Sequence, residues 1–143
     1  MKILYISKYA TFLPYSGSRQ YYLCQEFIKL GHDVVLLCSN SNHLAVQTPK
    51  GFTFYKVYVI KSLKVLCFNV LRYSSSGSLF RIISWLHFDF YVLIHLLISR
   101  KYDRVIISSL SLTTILPVVI LKSFFNYKIV LRSETYGLFR ERF

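Results

Sequence analysis

Residues 1–39 of the chain read MKILYISKYATFLPYSGSRQYYLCQEFIKLGHDVVLLCS. Residues 2–7 form a short apolar run rich in Ile and Tyr, which is the pattern of a buried strand. Over residues 19–30 the apolar positions recur at helical spacing, and Gly31 is the kind of residue at which a helix stops. Residues 32–39 are continuously apolar, as in strands that are covered on both faces. The stretch therefore predicts a strand, a helix and a second strand, which is a βαβ unit.

The rest of the sequence continues this alternation. The predicted elements are, in chain order, a strand at 52–60, a long apolar helix at 79–100, a strand at 104–109, a helix bent or restarted at Pro117 over 110–125, and a strand at 127–133. Residues 61–73 fit a strand and a helix equally well and stay unassigned. The order predicts an α/β domain with a Rossmann-like, mostly parallel sheet.

Composition and charge narrow the class of protein. The 143 residues, over half of them hydrophobic, predict one folded domain. Eighteen basic against six acidic residues give a formal charge of +12, which predicts an anionic partner such as a phosphate, a nucleic acid or an acidic membrane face. Cys24, Cys38 and Cys67 lie in apolar contexts and not in close pairs, which favours buried thiols in a reducing compartment. The apolar start is too short for a secretory signal, so we expect a cytoplasmic protein.

Candidate site residues follow from the sheet, because ligands bind at the carboxyl ends of the strands in such folds. The loops after the first, second, fourth and last predicted strands carry Ser16, Gly17, Ser18 and Arg19; Asn42 and His43; Ser108 and Ser109; and Arg132 and Ser133. The first loop precedes a helix amino terminus, which suits a phosphate, but it lacks the G-x-G-x-x-G spacing. The serines in these loops also fit simple helix capping, and a lone His in a polar loop is usually solvated.

The helix predicted at 79–100 is nearly long enough to span a bilayer. It contains His87, Asp89 and His95, and an Asp at the bilayer centre costs about 2.5 to 3.5 kcal/mol on insertion scales, which disfavours a spanning helix. A core helix and a core helix that also docks on a membrane surface remain open. The aromatic and basic residues that favour docking over nucleic-acid binding are Arg81, Trp85, Arg100 and Lys101.

Five stretches together carry a family resemblance. They are MKILYISKY with its Pro/Gly loop and SR, KLGHDVVLLCSNSNHL, LFRIISWLHF, YDRVIISSLSLTTILPVVILK and YKIVLRS. In this order they resemble the amino-terminal domain of bacterial family-four glycosyltransferases, in the branch that builds surface polysaccharides such as colanic acid and O-antigen. The resemblance is collinear and covers almost the whole chain.

The resemblance implies a fold, an activity and partners. Family members are two-domain, GT-B type enzymes that transfer a sugar from a nucleotide-sugar with retention of configuration and without a metal or other cofactor. Their first domain mostly holds the acceptor, often a lipid-linked sugar at the cytoplasmic face of the membrane. The resemblance implies the same here: an acceptor-side domain peripheral on the inner face of the cell membrane, with an anionic membrane surface and a lipid-linked acceptor as partners and no nucleic acid.

The site residues are carried over by position. Ser16 to Arg19 correspond to the family's glycine-rich loop, although only Gly17 stands where relatives often have two glycines. Asn42 and His43 match an Asn-His pair of the second loop, and Ser108 and Ser109 match small residues after the fourth strand. Arg132 is retained at a place where many relatives have His, while Ser133 replaces an Asp and the family's Trp-Pro is absent.

A donor-binding half does not follow in this sequence, and catalysis in a GT-B enzyme needs groups from both halves. We therefore expect an incomplete GT-B amino-terminal domain, either from an interrupted gene or from a split enzyme with a separate donor-binding subunit, that does not transfer sugar alone. A non-catalytic, membrane-associated module that recruits a donor-binding partner remains an alternative of another class. A basic nucleic-acid binder is a weaker third one.

Overall fold

The chain forms a six-stranded sheet between helices. The structure is a computed structural model that describes residues 1–41, 48–75, 77–99, 101–108 and 112–132. Its elements are β1 (Lys2–Ile6), α1 (Arg19–Lys29), β2 (Asp33–Ser39), β3 (Tyr55–Ile60), β4 (Leu63–Phe68), α2 (Leu79–Ile98), β5 (Arg104–Ser108), a 3₁₀ turn (Leu112–Thr114), α3 (Ile115–Lys122) and β6 (Lys128–Arg132). The α/β class and the βαβ start predicted from the sequence are confirmed.

The strands lie in the order β3-β4-β2-β1-β5-β6. All neighbouring pairs are parallel except β3 with β4, which is antiparallel. The five parallel strands therefore end at one common edge of the sheet, which we call the carboxyl edge. The strand order reverses between β1 and β5: the chain continues from β1 to β2 on one side and from β5 to β6 on the other. In open α/β sheets ligands bind at such a point.

Two hydrophobic clusters lie on opposite faces of the sheet because side chains alternate along each strand. On one face Ile3 and Tyr5 of β1 pack with Tyr21 and Cys24 of α1. On the other face Leu4 and Ile6 pack with the buried stripes of α2 and α3. We call these the α1 face and the α2 face. The domain thus has three layers, with β1 and β2 buried between them.

The segment left unassigned at 61–73 contains β4, which pairs with β2 on one side and with β3 on the other. The turn between β3 and β4 is made by Lys61 and Ser62, which have φ angles of 46° and 69°. Positive φ at both central residues is the geometry of the tight hairpin turn, which usually carries Asn or Gly. The sequence lacks that signal, and the hairpin was therefore missed.

The helix predicted over 110–125 is divided as expected near its proline. The 3₁₀ turn ends at Thr114 and α3 begins at Ile115, so Pro117 lies in the first turn of α3. An N–H is not needed for intrahelical hydrogen bonding in the first turn, and proline is tolerated there. This division places the hydroxyl of Thr114 beside α2, in the layer that covers the carboxyl edge.

Candidate functional site

A row of polar residues lies at the carboxyl edge on the α1 face, and we call it the Arg132 row: Ser7, Ser108 and Arg132. Ser108 and Arg132 are partners in the register of β5 and β6. Ser7 and Ser108 directly follow Ile6 and Ile107, which are partners in the register of β1 and β5. The row therefore runs across three adjacent strands, with two small side chains beside a long cationic one.

The contacts of Arg132 show that the row lies on the α1 face of the sheet. Arg132 Nη1 donates to the hydroxyl of Tyr5 at 3.4 Å, and Tyr5 is fully buried on the α1 face. Burial raises the pKa of the Cys24 thiol in α1 to about 12, and the positive charge of Arg132 acts in the opposite direction. The guanidinium, which is half-buried, thus lies close to both the sheet and α1.

The serines of the row are buried. Ser7 is 2% exposed and Ser108 1% exposed. The hydroxyl of Ser7 has no hydrogen-bond partner among the residues that the structure describes. A buried hydroxyl without a partner is uncommon and is often found where a ligand or a water supplies the missing bond. The row can therefore offer a cation and a hydroxyl to one bound oxygen-rich group.

The first loop packs against the amino terminus of α1. Ser18 caps this helix, because its Oγ accepts from the backbone N–H of Tyr21 at 3.4 Å and from that of Thr11 at 3.2 Å. The same hydroxyl donates to the carbonyl of Thr11 at 3.0 Å, so all of its capacity is used inside the loop. The ring of Tyr22 lies over Gly17, where a Cβ would approach its hydroxyl to 2.5 Å. Arg19, in contrast, is exposed.

Five of the predicted residues lie outside the described residues: Asn42, His43, Ser109, Ser133 and Arg100. Of the predicted set, the structure brings together Ser108 and Arg132, whereas the described first-loop residues belong to the neighbouring helix terminus.

A second polar group lies at the carboxyl edge on the α2 face, and the sequence did not indicate it. We call it the Lys8 cluster: Lys8, Tyr9, Tyr73, Arg81, Ser84, Trp85 and Asp89. Lys8 follows β1 and is only 1% exposed. Its Nζ donates to Ser84 Oγ at 2.8 Å and lies 5.1 and 5.2 Å from the ring centroids of Tyr9 and Tyr73.

Hydrogen bonds hold the aromatic walls of the Lys8 cluster. The indole N–H of Trp85 donates to the hydroxyl of Tyr9 at 2.7 Å, and the hydroxyls of Tyr9 and Tyr73 are 2.7 Å apart. The guanidinium of Arg81 lies 4.8 Å from the Trp85 ring centroid, which is a cation–π contact. These contacts therefore join three segments at one point: the loop after β1, the segment after β4 and the first turns of α2.

Burial shifts the pKa values of two residues in the cluster, Lys8 and Asp89. Desolvation lowers the pKa of Lys8 to about 7, the charge of Asp89 opposes this shift and the charge of Arg81 adds to it. Burial raises the pKa of Asp89, and the hydroxyls of Thr113 and Thr114 and the charge of Lys8 oppose that rise. Thr114 donates a short hydrogen bond to Asp89. Two titratable groups with opposite shifts thus lie at the ligand-binding edge of the sheet.

One sequence signal could have revealed this cluster. Arg81, Trp85 and Asp89 are spaced by four residues, and Ser84 lies beside them, so they share one face of α2. The sequence analysis counted Asp89 only as a cost of crossing a membrane. In the structure Ser84 and Asp89 are both buried, on the face of α2 that meets the sheet. A polar residue on the core face of a helix predicts a buried partner, which here is Lys8.

Three of the residues predicted to contact a membrane are described, and they lie near opposite ends of α2. Arg81 and Trp85 are half-buried in the Lys8 cluster near the start of α2, whereas Lys101 is exposed beyond its other end. Twenty helical residues span about 30 Å. By length and composition α2 could cross a membrane, with a mean hydropathy of 1.4 and 28% of that window buried.

Large apolar side chains are nevertheless exposed on the outer side of the α2 and α3 layer, which we call the outer helical face. They are Leu79, Phe80, Ile82, Ile83, Leu86, Phe90, Ile94, Leu97 and Ile98 in α2, and Leu116, Val119 and Ile120 in α3. An exposed apolar surface of this extent marks an interaction site.

Comparisons with known proteins identify the architecture. Over 92% of this chain the structure matches 33% of the catalytic domain of Starch Synthase IV from Arabidopsis thaliana, solved with ADP and acarbose, at a TM-score of 0.65 and 11% identity. It also matches 32% of trehalose-6-phosphate synthase from E. coli, solved with UDP-2-fluoro glucose, at a TM-score of 0.56 and 11% identity. Both are GT-B glycosyltransferases. The chain thus has the fold of part of a GT-B enzyme and spans about a third of either structure. No family model and no curated protein matches the sequence.

Proposed function

We propose that this chain is the acceptor-side half of a glycosyltransferase of bacterial surface polysaccharide biosynthesis. In this proposal a sugar passes from a nucleotide-sugar to a lipid-linked acceptor. The observation that carries it is the GT-B type fold together with the Arg132 row at the carboxyl edge of its sheet. The resemblance to the family-four enzymes supplies the pathway and the acceptor class.

The Arg132 row has the chemistry that such a site needs. A sugar offers hydroxyls, and a diphosphate offers anionic oxygens, and both accept from a guanidinium. The hydroxyl of Ser7, which has no partner among the described residues, can also donate to an acceptor oxygen. A donor-binding half facing this edge would complete the site, and without it we expect no sugar transfer.

The outer helical face supports a place at the cytoplasmic membrane surface. Apolar side chains that stay exposed in the domain would bury in the interfacial layer, and the formal charge of +12 would draw the domain to anionic lipids. A lipid-linked acceptor lies in that surface, so docking would bring enzyme and acceptor together. The same face supports the alternative of a non-catalytic membrane-associated subunit that recruits a donor-binding partner.

Chemical-shift mapping with a short-chain polyprenyl-diphosphate-linked sugar tests the proposed acceptor site. We expect the largest shifts in Ser7, Ser108 and Arg132, and a loss of about tenfold in affinity for Arg132→Gln, since one charge-assisted hydrogen bond is removed. Arg104→Gln is the matched control, because Arg104 is an exposed arginine at the opposite edge of the sheet. Shifts confined to other surfaces, or equal losses in the two variants, would contradict an acceptor site at this row.

A product assay on vesicle-bound chain separates the two candidate functions. Both require binding to anionic vesicles that persists in high salt, because apolar burial is not screened. An enzyme half should in addition yield a labelled glycolipid when it is combined with a donor-binding half and a nucleotide-sugar. A recruiting subunit should bind the partner and the vesicles and give the same product yield with Arg132→Gln as with the unchanged chain.

A further inference from the structure

The side chain of Lys8 has more hydrogen-bond donors than partners. An ammonium carries three N–H donors. In the described part of the chain Nζ makes one hydrogen bond, to Ser84, while the rings of Tyr9 and Tyr73 lie on two other sides. A buried charge with so few hydrogen bonds lowers the free energy of unfolding. The arrangement therefore lacks a strong acceptor for Lys8.

Among the residues that the structure describes, the Lys8 cluster contains two basic side chains, Lys8 and Arg81, and one carboxylate, Asp89. The charge of Arg81 disfavours the charged form of Lys8, and Asp89 is the carboxylate that acts on Lys8 in the opposite direction. No carboxylate oxygen of the described residues lies within 4.0 Å of Lys8 Nζ, and Asp89 instead accepts from Thr114. The first turn of α2, which contains Arg81, holds no acidic residue. Asp89 thus acts on Lys8 from beyond ion-pair distance, and one of its oxygens accepts from Thr114 while the other has no hydrogen-bond partner among the described residues.

We propose that the Lys8 cluster binds a phosphoryl group, with Arg81 at the rim and the ammonium of Lys8 beneath it. The rim is formed by Tyr73, Arg81 and Trp85, which are half-buried and therefore reachable, whereas Lys8 is not. A phosphoryl group carries up to two negative charges and three acceptor oxygens, so it can meet cations from two elements at once. A monovalent carboxylate would balance only one of them.

This site is distinct from the one in the proposed function. The Arg132 row lies on the α1 face of the sheet, and the Lys8 cluster lies on the α2 face, next to the outer helical face. A phosphoryl group could reach it as a soluble phosphate compound or as the headgroup of a phospholipid. The chemistry of recognition is the same for both sources, and the experiment separates them.

The first arm uses inorganic pyrophosphate and the ¹⁵N-labelled chain. We expect saturating pyrophosphate to raise the pKa of Lys8, measured on its side-chain resonances, because a bound anion stabilises the ammonium. Arg81→Gln should weaken pyrophosphate binding about tenfold. Arg104→Gln should leave pyrophosphate binding unchanged. Arg132→Gln should weaken binding only at the Arg132 row and should leave the pyrophosphate-induced rise in the pKa of Lys8 unchanged, so a failure here is distinguishable from a failure of the proposed acceptor site.

The second arm uses phosphatidylcholine vesicles with and without phosphatidic acid. A rise in the pKa of Lys8 with phosphatidic acid but not with pyrophosphate assigns the site to a lipid headgroup, and the reverse result assigns it to a soluble compound. An unchanged pKa in both arms overturns the proposal. The test needs no variant of Lys8 itself, whose removal could disturb folding, and Arg81 is only half-buried.

Discussion

Replacing Lys8 by Met should change how the stability of the domain depends on pH. In the folded chain burial lowers the pKa of Lys8 from 10.5 to about 7. Between these values the unfolded chain holds a proton that the folded chain does not. Since the unfolded state binds more protons, the free energy of unfolding rises with pH across this window, and the penalty of burying the charge is fully present below pH 7.

The size of this effect follows from the two pKa values. A full difference of one proton gives a slope of about 1.4 kcal/mol per pH unit. Because Lys8 is about half protonated at pH 7 in the folded chain, Lys8 alone contributes a rise of about 1.6 kcal/mol between about pH 7 and about pH 8.5. Two buried thiols oppose the rise near the upper limit: burial raises the pKa of Cys24, and the hydrogen bond with Cys67 together with burial raises that of Cys38. They do so equally in both proteins.

Urea unfolding at a series of pH values, followed by circular dichroism, measures the difference between the two proteins. The unchanged chain should gain stability relative to Lys8→Met by about 1.6 kcal/mol from about pH 7 to about pH 8.5. His95, whose pKa burial lowers from 6.5 to about 4, contributes equally in both proteins and cancels in the difference. Parallel curves for the two proteins would show that Lys8 is not a desolvated lysine, and the account of the Lys8 cluster would be wrong.

Three further predictions concern stability and docking. Ser18→Ala removes the cap of α1 and should lower the free energy of unfolding by about 1 kcal/mol in urea unfolding, with Ser16→Ala as the control that changes it little; equal effects would argue against the cap. Tyr127→Phe removes a buried hydrogen bond of 2.6 Å to a carbonyl of α3 and should cost about 1 kcal/mol in the same assay; an unchanged midpoint would show that this bond contributes nothing. Leu86→Ser should weaken binding to anionic vesicles without loss of stability, whereas Val59→Ser, at a still more exposed apolar position on β3, should not; equal losses would exclude the outer helical face as the docking surface.

The sequence predicted the fold of residues 1–39 well because its signals there are local and consistent. The apolar run of β1, the cap at Ser18 and the glycine after α1 each indicate the same βαβ unit. The hairpin of β3 and β4 was missed because Lys61 and Ser62 adopt positive φ angles without the usual Gly or Asn, so tertiary pairing overrides the local preference there.

The candidate site was predicted in part for a similar reason. Arg132 could be found because it ends an apolar strand, and the sequence alone shows where such a strand ends. Lys8 has the same position after β1, but a lysine is normally expected to be solvated. Only the fold shows that α2 covers it, because the partners Ser84 and Asp89 are contributed from more than seventy residues away. Long-range polar pairing of this kind leaves no periodic pattern in a single sequence.

The position of β6 has a practical consequence for the isolated chain. In the described residues β6 is the last strand of the sheet, and its outward edge offers unpaired backbone groups beside exposed Val130 and Leu131. Such an edge can pair with the same edge of another copy, and the repulsion between molecules with a formal charge of +12 acts against that encounter. Added salt screens this repulsion. Preparations of the isolated chain should therefore stay monodisperse in dilute buffer and form β-rich aggregates as the ionic strength rises, which light scattering would detect.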